Sequence, residues 1–235
     1  MQTFSDAFLS SLMLILTGDA DLWAIVLLSL RVSLLAVFFA ALIGLPIGAM
    51  LAVSKFRGRT GCIVLINALM GLPPVVVGLC VYLMLSNLGP LGVFGLLYTP
   101  TAMIIAQTLL IAPIIAALSR SIIQTMEEEY RDLFSSLRLS AMQRYKTLLY
   151  EARFALLTAF LAGFGRAIAE VGAVMIVGGN IDHFTRVMTT AIALETSKGN
   201  LSLALALGVI LIFLALSVNA LVALLGQQRR EDMHV

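Results

Sequence analysis

Five continuous apolar stretches dominate this 235-residue sequence: Trp23–Val53, Cys62–Leu85, Pro100–Ile123, Phe154–Val177 and Leu201–Leu225. Each is long enough to cross about 30 Å of hydrocarbon, which takes about 20 helical residues. Lipid cannot satisfy free backbone groups, so such segments cross as helices or as closed barrels. Barrel strands are about 10 residues long and alternate in polarity, which these stretches do not. Composition agrees. Hydrophobic residues make up 60% and charged residues 12%, against about 25% charged in soluble domains, and the mean hydropathy is +1.03. The predicted fold class is all-α, a polytopic membrane helix bundle with about five transmembrane helices.

The charges between the stretches set an orientation. Lys55, Arg57 and Arg59 follow the first. Arg120, Arg131, Arg138, Arg144, Lys146 and Arg153 lie between or beside the third and fourth, and Arg229 and Arg230 follow the fifth. The opposite side holds Arg186 and Lys198 among Asp6, Asp19, Asp21, Asp182 and Glu195. The positive-inside rule puts the basic side in the cytoplasm, so the N-terminus is predicted outside and the C-terminus inside. Residues 1–20 read as an N-terminal interfacial segment, because Phe4, Phe8, Leu12 and Leu16 recur every fourth residue over too short a run to span. No basic n-region precedes it, which excludes a secretory signal. Residues 21–226 form the predicted transmembrane domain, and residues 227–235 a cytoplasmic tail. On the outer side, residues 86–99 are rich in Gly and Pro, and residues 178–200 read as holding a short helix.

Metal and thiol chemistry find no footing. Cys62 and Cys80 lie about 27 Å apart if they share one helix, too far to bond, and His183 and His234 stand far from either in the sequence. No Gly-x-x-x-x-Gly-Lys-Ser/Thr phosphate loop occurs, so the chain itself is predicted to bind no ATP. An intramembrane enzyme would need a nucleophile–base pair or paired acids at depth. Glu170 is the one acid within the fourth stretch, and no His lies in any stretch. A stand-alone secondary transporter or channel is the other alternative, and the lack of an internal repeat weighs against it.

Arg166 and Glu170 share a face at i,i+4 spacing in the fourth stretch. Charges at that depth face protein or water, so the pair either braces its helix or helps pass an anion. Arg31, early in the first stretch, either snorkels to the interface or faces another subunit. Gly44, Pro46, Gly48, Gly71, Pro73, Pro74, Gly78 and Pro113 interrupt the first three stretches. Gly71, Pro73, Pro74 and Gly78 mark either an unwound stretch lining the path or a kink with close helix packing. Asn67, Gln107 and Asn219 suit hydrogen bonds between helices.

The polar stretch from about residue 124 to 150 is the most informative. It is nearly free of Gly and Pro, and Leu133, Leu137 and Ala141 share a face. Glu127–Glu129 suit a helix start, and Ser140 suits the cap of a second helix beginning at Ala141. Two short helices with a bend near Arg138–Ser140 are predicted.

This stretch resembles the coupling segment of type I ABC importer permeases. Asp132, Leu133 and Phe134 stand at that family's Glu-Ala-Ala positions, Arg138 replaces its Gly, and Leu139-Ser140 match its Ala-Ser. Gly71-Leu72-Pro73-Pro74 through Gly78, with Leu88-Gly89-Pro90-Leu91-Gly92, looks like the second core span of the molybdate and tungstate permeases. Gly165-Arg166-Ala167 through Val174, followed by Gly178-Gly179-Asn180, is similar to their fourth. The segment Glu151–Leu157 looks closer to the tungstate branch. The resemblance covers roughly residues 24–225, and the extra N-terminal span of many molybdate relatives looks absent.

The resemblance implies a type I ABC importer permease core without catalytic motif. The implied substrate is an oxyanion, with tungstate first, molybdate next and sulfate as the alternative. The implied partners are a second copy of the chain (a homodimer), a cytoplasmic ATPase dimer that binds ATP and Mg, and an extracytoplasmic oxyanion-binding protein. The chain binds no cofactor or nucleic acid, and it sits in a prokaryotic inner membrane. Asp132, Leu133, Phe134, Ser135, Arg138, Leu139, Ser140 and Ala141 are the implied ATPase-coupling residues. Gly71, Pro73, Pro74, Gly78, Arg166 and Glu170 are the candidate path or gate.

Overall fold

The computed structural model describes residues 4–232, with the side chains of Phe4, Ala141 and 225–232 excepted. Every regular element among the described residues is helical. In order they are α1 (Phe4–Thr17), α2 (Ala20–Val53), α3 (Arg59–Met70), α4 (Pro74–Leu85), α5 (Pro100–Glu129), α6 (Arg131–Ser136), α7 (Ala141–Glu151), α8 (Arg153–Ile168), α9 (Gly172–Gly178), α10 (Met188–Lys198) and α11 (Leu201–Asp232), with a 3₁₀ turn at Gly92–Phe94.

Three helices are long and apolar enough to cross a membrane alone: α2, α5 and Leu201–Leu224 of α11. Two bent pairs, α3 with α4 and α7 with α8, bring the number to as many as five if each pair counts as one span. Two of the predicted spans differ from single helices. The second breaks between Met70 and Pro74, because Pro73 has no N–H to donate and pushes Leu72 out of the helical region. Gly71 N–H donates to the Ala68 carbonyl and Leu72 N–H to the Leu69 carbonyl, which closes α3, and Pro74 opens α4 at its first position. The fourth breaks at residues 169–171, between α8 and α9. Pro46 and Pro113 lie inside α2 and α5, which continue through them.

The other boundaries shift modestly. The third span extends to Glu129, so the first residues of the predicted coupling stretch belong to that long helix. α11 runs on to Asp232 through most of the predicted tail. The rest of the tail, including His234, and the side chains of Arg229 and Arg230 lie outside the described residues.

The chain divides into two compact units. The first comprises Met1–Ala36, Pro73–Gln107 and Gly165–Ser217; the second comprises Val37–Leu72, Thr108–Phe164 and Val218–Val235. In the first, α4 packs on α9 through small residues. Gly78, Val81 and Leu85 are the buried face of α4, and Ala173, Val174, Val177 and Gly178 that of α9. α1 buries Ala7 and Ser11 and leaves Leu9, Met13 and Leu16 exposed.

In the second unit, α2 approaches α5 through Gly44 and Gly48. A Cβ on Gly44 would stand 2.8 Å from the Ala112 carbonyl oxygen, and one on Gly48 would meet the Ala116 carbonyl oxygen at 2.5 Å. This is the small-residue spacing that lets membrane helices touch backbone to backbone. Ser119 adds a hydroxyl that donates to the Gly44 carbonyl at 3.4 Å. A core of Ala49, Ala52, Ile123, Met126, Phe134, Leu148, Ala152 and Leu156 joins α2, α5, α6, α7 and α8.

Candidate functional site

The residues singled out in the sequence fall into two groups. Asp132 to Ala141, together with Gly71, belong to the second unit; Pro73, Pro74, Gly78, Arg166 and Glu170 belong to the first.

The coupling candidates form a tight corner. α6 ends in a reciprocal turn: Leu139 N–H donates to the Phe134 carbonyl and Arg138 N–H to the Ser135 carbonyl, both at 3.2 Å. That pairing is the Schellman motif, whose closing residue takes a left-handed conformation and is usually glycine. Here Arg138 takes it, at φ +50°. The bend therefore forms without the glycine, and a β-carbon is held in a region that costs an L-residue about 1–2 kcal/mol. Two apolar residues secure it. Phe134 is 2% exposed, and Leu139 packs against the same cluster. The Tyr130 ring stacks on Phe134 at 5.7 Å, and the Arg144 guanidinium lies over the other ring at 5.9 Å.

The second helix starts where the sequence placed it. The Ser140 hydroxyl accepts from Gln143 N–H, and the Gln143 side chain accepts from Ser140 N–H at 2.8 Å. This capping box satisfies two end groups reciprocally. Its second half, Gln143, was readable as the residue three past the cap. Asp132, Leu133, Ser135 and Arg138 stay exposed on the corner's outer surface.

The other group surrounds the break between α8 and α9. Arg166 Nη1 lies 3.1 Å from Glu170 Oε2. Glu170 is 6% exposed, and the pair straddles the break rather than lying along one helix. The Glu170 Oε1 accepts from Ala173 N–H at 3.3 Å, so the same carboxylate caps the free end of α9. Gln107 donates to the Ala167 carbonyl at 3.0 Å, which also accepts from Glu170 N–H at 3.1 Å. Thr189 donates to the Glu170 carbonyl at 2.8 Å. These bonds satisfy the polar backbone that a broken membrane helix exposes.

Gln107 thus makes the inter-helix bond expected of it. Thr189 and Ser29, whose hydroxyl accepts from Met188 N–H at 2.7 Å, were not singled out by the sequence; lone hydroxyls carry no spacing signal. A cavity of about 10 Å³, room for about one water, lies among Ser29, Ser33, Gln107, Glu170 and Thr189. Pro73 and Pro74 open α4, four residues before Gly78 meets α9. No group of three or more His, Cys, Asp or Glu side chains suited to a metal occurs among the described residues.

Comparison with known proteins shows the family. The model of the family described as binding-protein-dependent transport system inner membrane component matches residues 44–231. A probable anion ABC transporter permease protein of Haloferax volcanii is 45% identical over 212 residues, covering 87% of this chain and 91% of its own. The tungstate uptake system permease protein of Peptoclostridium acidaminophilum is 38% identical over 228 residues, 97% of this chain and all of its own. The molybdenum transport system permease protein of Azotobacter vinelandii is 27% identical over 188 residues, covering 74% and 80%.

Proposed function

Because this chain belongs to the family of binding-protein-dependent transport system inner membrane components, we propose that it is the permease of an ABC importer for a tetrahedral oxyanion, tungstate first and molybdate next. The observation that carries the substrate is the 38% identity with the tungstate relative over 97% of this chain and the whole of that protein. A molybdenum permease matches at 27%, which keeps molybdate as the second reading.

The partners follow from the reading. Substrate arrives on an extracytoplasmic binding protein. Energy comes from a separate ATPase dimer, which holds the ATP and Mg while this chain binds no cofactor. Two copies of the permease enclose the path. The basic connections face the cytoplasm, with the N-terminus outside and the C-terminus inside, as the distribution of Lys and Arg supports.

The α6–α7 corner docks on the ATPase. Its outer residues Asp132, Leu133, Ser135 and Arg138 are exposed, while Phe134 anchors them to a core joining four other helices. Force applied at such a corner reaches the long helices directly. The path runs beside the helix breaks at Gly71–Pro74 and at residues 169–171. Arg166, 43% exposed beside Glu170, supplies positive charge without a deep fixed site, which suits an anion that must leave again.

Uptake of labelled tungstate into cells carrying the chain, its neighbouring ATPase and its binding protein tests the reading. Accumulation should require all three, be blocked by excess tungstate and be weakly affected by sulfate. Equal competition by sulfate would reassign the substrate, and uptake without the ATPase would remove the importer assignment.

A further inference from the structure

A cavity of about 800 Å³ opens in the second unit, where the end of α2, the start of α3, the last turns of α5 and the α6–α7 corner meet. Its wall carries four cations, Lys55, Arg59, Arg131 and Arg144, and two acids, Glu127 and Glu128. Among the described residues Lys55 and Arg131 make no ion pair. Arg59 is pinned in place by its Nε donating to the Leu51 carbonyl at 2.7 Å.

Two further groups are unspent. Arg144 Nη1 reaches Glu127 Oε1 only at 3.6 Å, and both Arg144 Nε and Glu127 Oε2 are buried without a hydrogen-bond partner. The cavity therefore offers a surplus of positive charge beside a loosely made Arg144–Glu127 pair. That set fits a phosphate group. The volume lies in the range of whole small-molecule sites, well above that of one bare ion.

Position selects the source. Lys55 lies two residues past the end of α2 and Arg59 begins α3, so both stand in the connection between two apolar helices, next to the level that lipid headgroups occupy. Basic pockets between transmembrane helices at that level take phosphate-bearing lipid heads. We propose that this cavity binds the headgroup of an anionic phospholipid, phosphatidylglycerol being the simplest that fits. Lys55, Arg59 and Arg131 hold the phosphate. A lipid seated there bridges the α2–α3 turn and the α6 corner.

The test uses the full-length chain purified in mild detergent and examined by native mass spectrometry and thermal unfolding. Phosphatidylglycerol should remain bound and raise the unfolding midpoint, and phosphatidylcholine should do neither. Lys55→Gln and Arg131→Gln should each weaken retention about fivefold. Arg57→Gln, an exposed neighbour outside the cavity wall, should leave it unchanged. Size-exclusion elution identifies variants that fold, and either single variant is enough to decide. Undiminished retention in both, or an equal loss in Arg57→Gln, overturns the site. Protection by inorganic phosphate or glycerol phosphate as strong as by the lipid overturns the lipid assignment in favour of a soluble anion.

Discussion

Gly78 of α4 rests on the backbone of α9 at Ala173, so closely that a Cβ on Gly78 would stand 2.7 Å from the Ala173 Cα and 3.2 Å from its carbonyl oxygen. The clash is with backbone, which cannot rotate aside. Gly78→Ala should therefore destabilise the first unit by about 1–3 kcal/mol, the range for overpacking, and Gly78→Val by more. Thermal unfolding in detergent measures this. Ala173→Gly introduces no clash and should cost only about 1 kcal/mol, the helix penalty of glycine.

Removing one partner of the Arg166–Glu170 pair leaves the other in an apolar setting. Breaking a buried pair typically costs about 3–5 kcal/mol. Arg166→Gln should fall at or below the low end, because Arg166 is 43% exposed. Glu170→Gln keeps the shape but weakens the cap on Ala173 N–H. The double variant should recover part of the single losses, as partners in contact do. Unfolding midpoints of the three variants form the cycle. Strict additivity would show that the pair is not coupled.

The α6–α7 corner carries strain and compensation side by side. Arg138→Gly removes the β-carbon from a left-handed residue and should stabilise by up to about 1–2 kcal/mol. Ser140→Ala deletes the cap of α7 and should cost about 0.5–2 kcal/mol. ATPase stimulation in the reconstituted complex adds a second readout. Arg138→Gly keeps the bend but removes one exposed docking side chain and should lower stimulation only in part, whereas Phe134→Ala should abolish it by unseating the corner.

On α10, the Lys198 ammonium hydrogen-bonds the Glu195 carboxylate at 2.9 Å and holds its pKa below the ordinary 4.5, against the opposing effect of burial and with further help from Asn200. A depressed carboxyl pKa stabilises the fold above the unfolded value and loses that contribution as pH falls through the folded value. The wild-type chain should therefore lose stability below about pH 4.5 with a slope that Glu195→Gln lacks. Hydrogen exchange at residues 188–198 between pH 3 and pH 6 checks it. Identical profiles for the two chains would show that the pair contributes nothing.

How much the sequence revealed depended on which physical constraint each segment answers to. Lipid demands apolar helix, so the apolar bodies of α2, α5 and α11 could be read, while the polar ends that carry α5 on to Glu129 and α11 on to Asp232 could not. Breaks were harder, because proline alone does not decide them. Pro46 and Pro113 are carried within continuous helices, while Pro73 ends one, with Gly71 before it and Pro74 after. The gap at residues 169–171 has no proline at all. The i,i+4 spacing of Arg166 and Glu170 paired them correctly but hid the break, since a carboxylate capping the next helix sits at nearly the same distance.

The α6–α7 corner was legible through Ser140, whose role is local. A bend near Arg138–Ser140 was expected with Arg138 in place of the family's glycine; packing of Phe134 and Leu139 holds Arg138 in the glycine conformation. That is a tertiary effect, and no reading of the six residues alone contains it.

The gap between α8 and α9 has a mechanical consequence. A helix that stops partway is normally a loose joint, free to fray or swivel. This one is fastened on several sides at once: Gln107 grips the Ala167 carbonyl, Thr189 the Glu170 carbonyl, and Arg166 the Glu170 side chain. Any rearrangement that moves the joint must carry those segments of α5, α8 and α10 with it as one piece or shed all three fastenings together, so motion there is all-or-none rather than gradual.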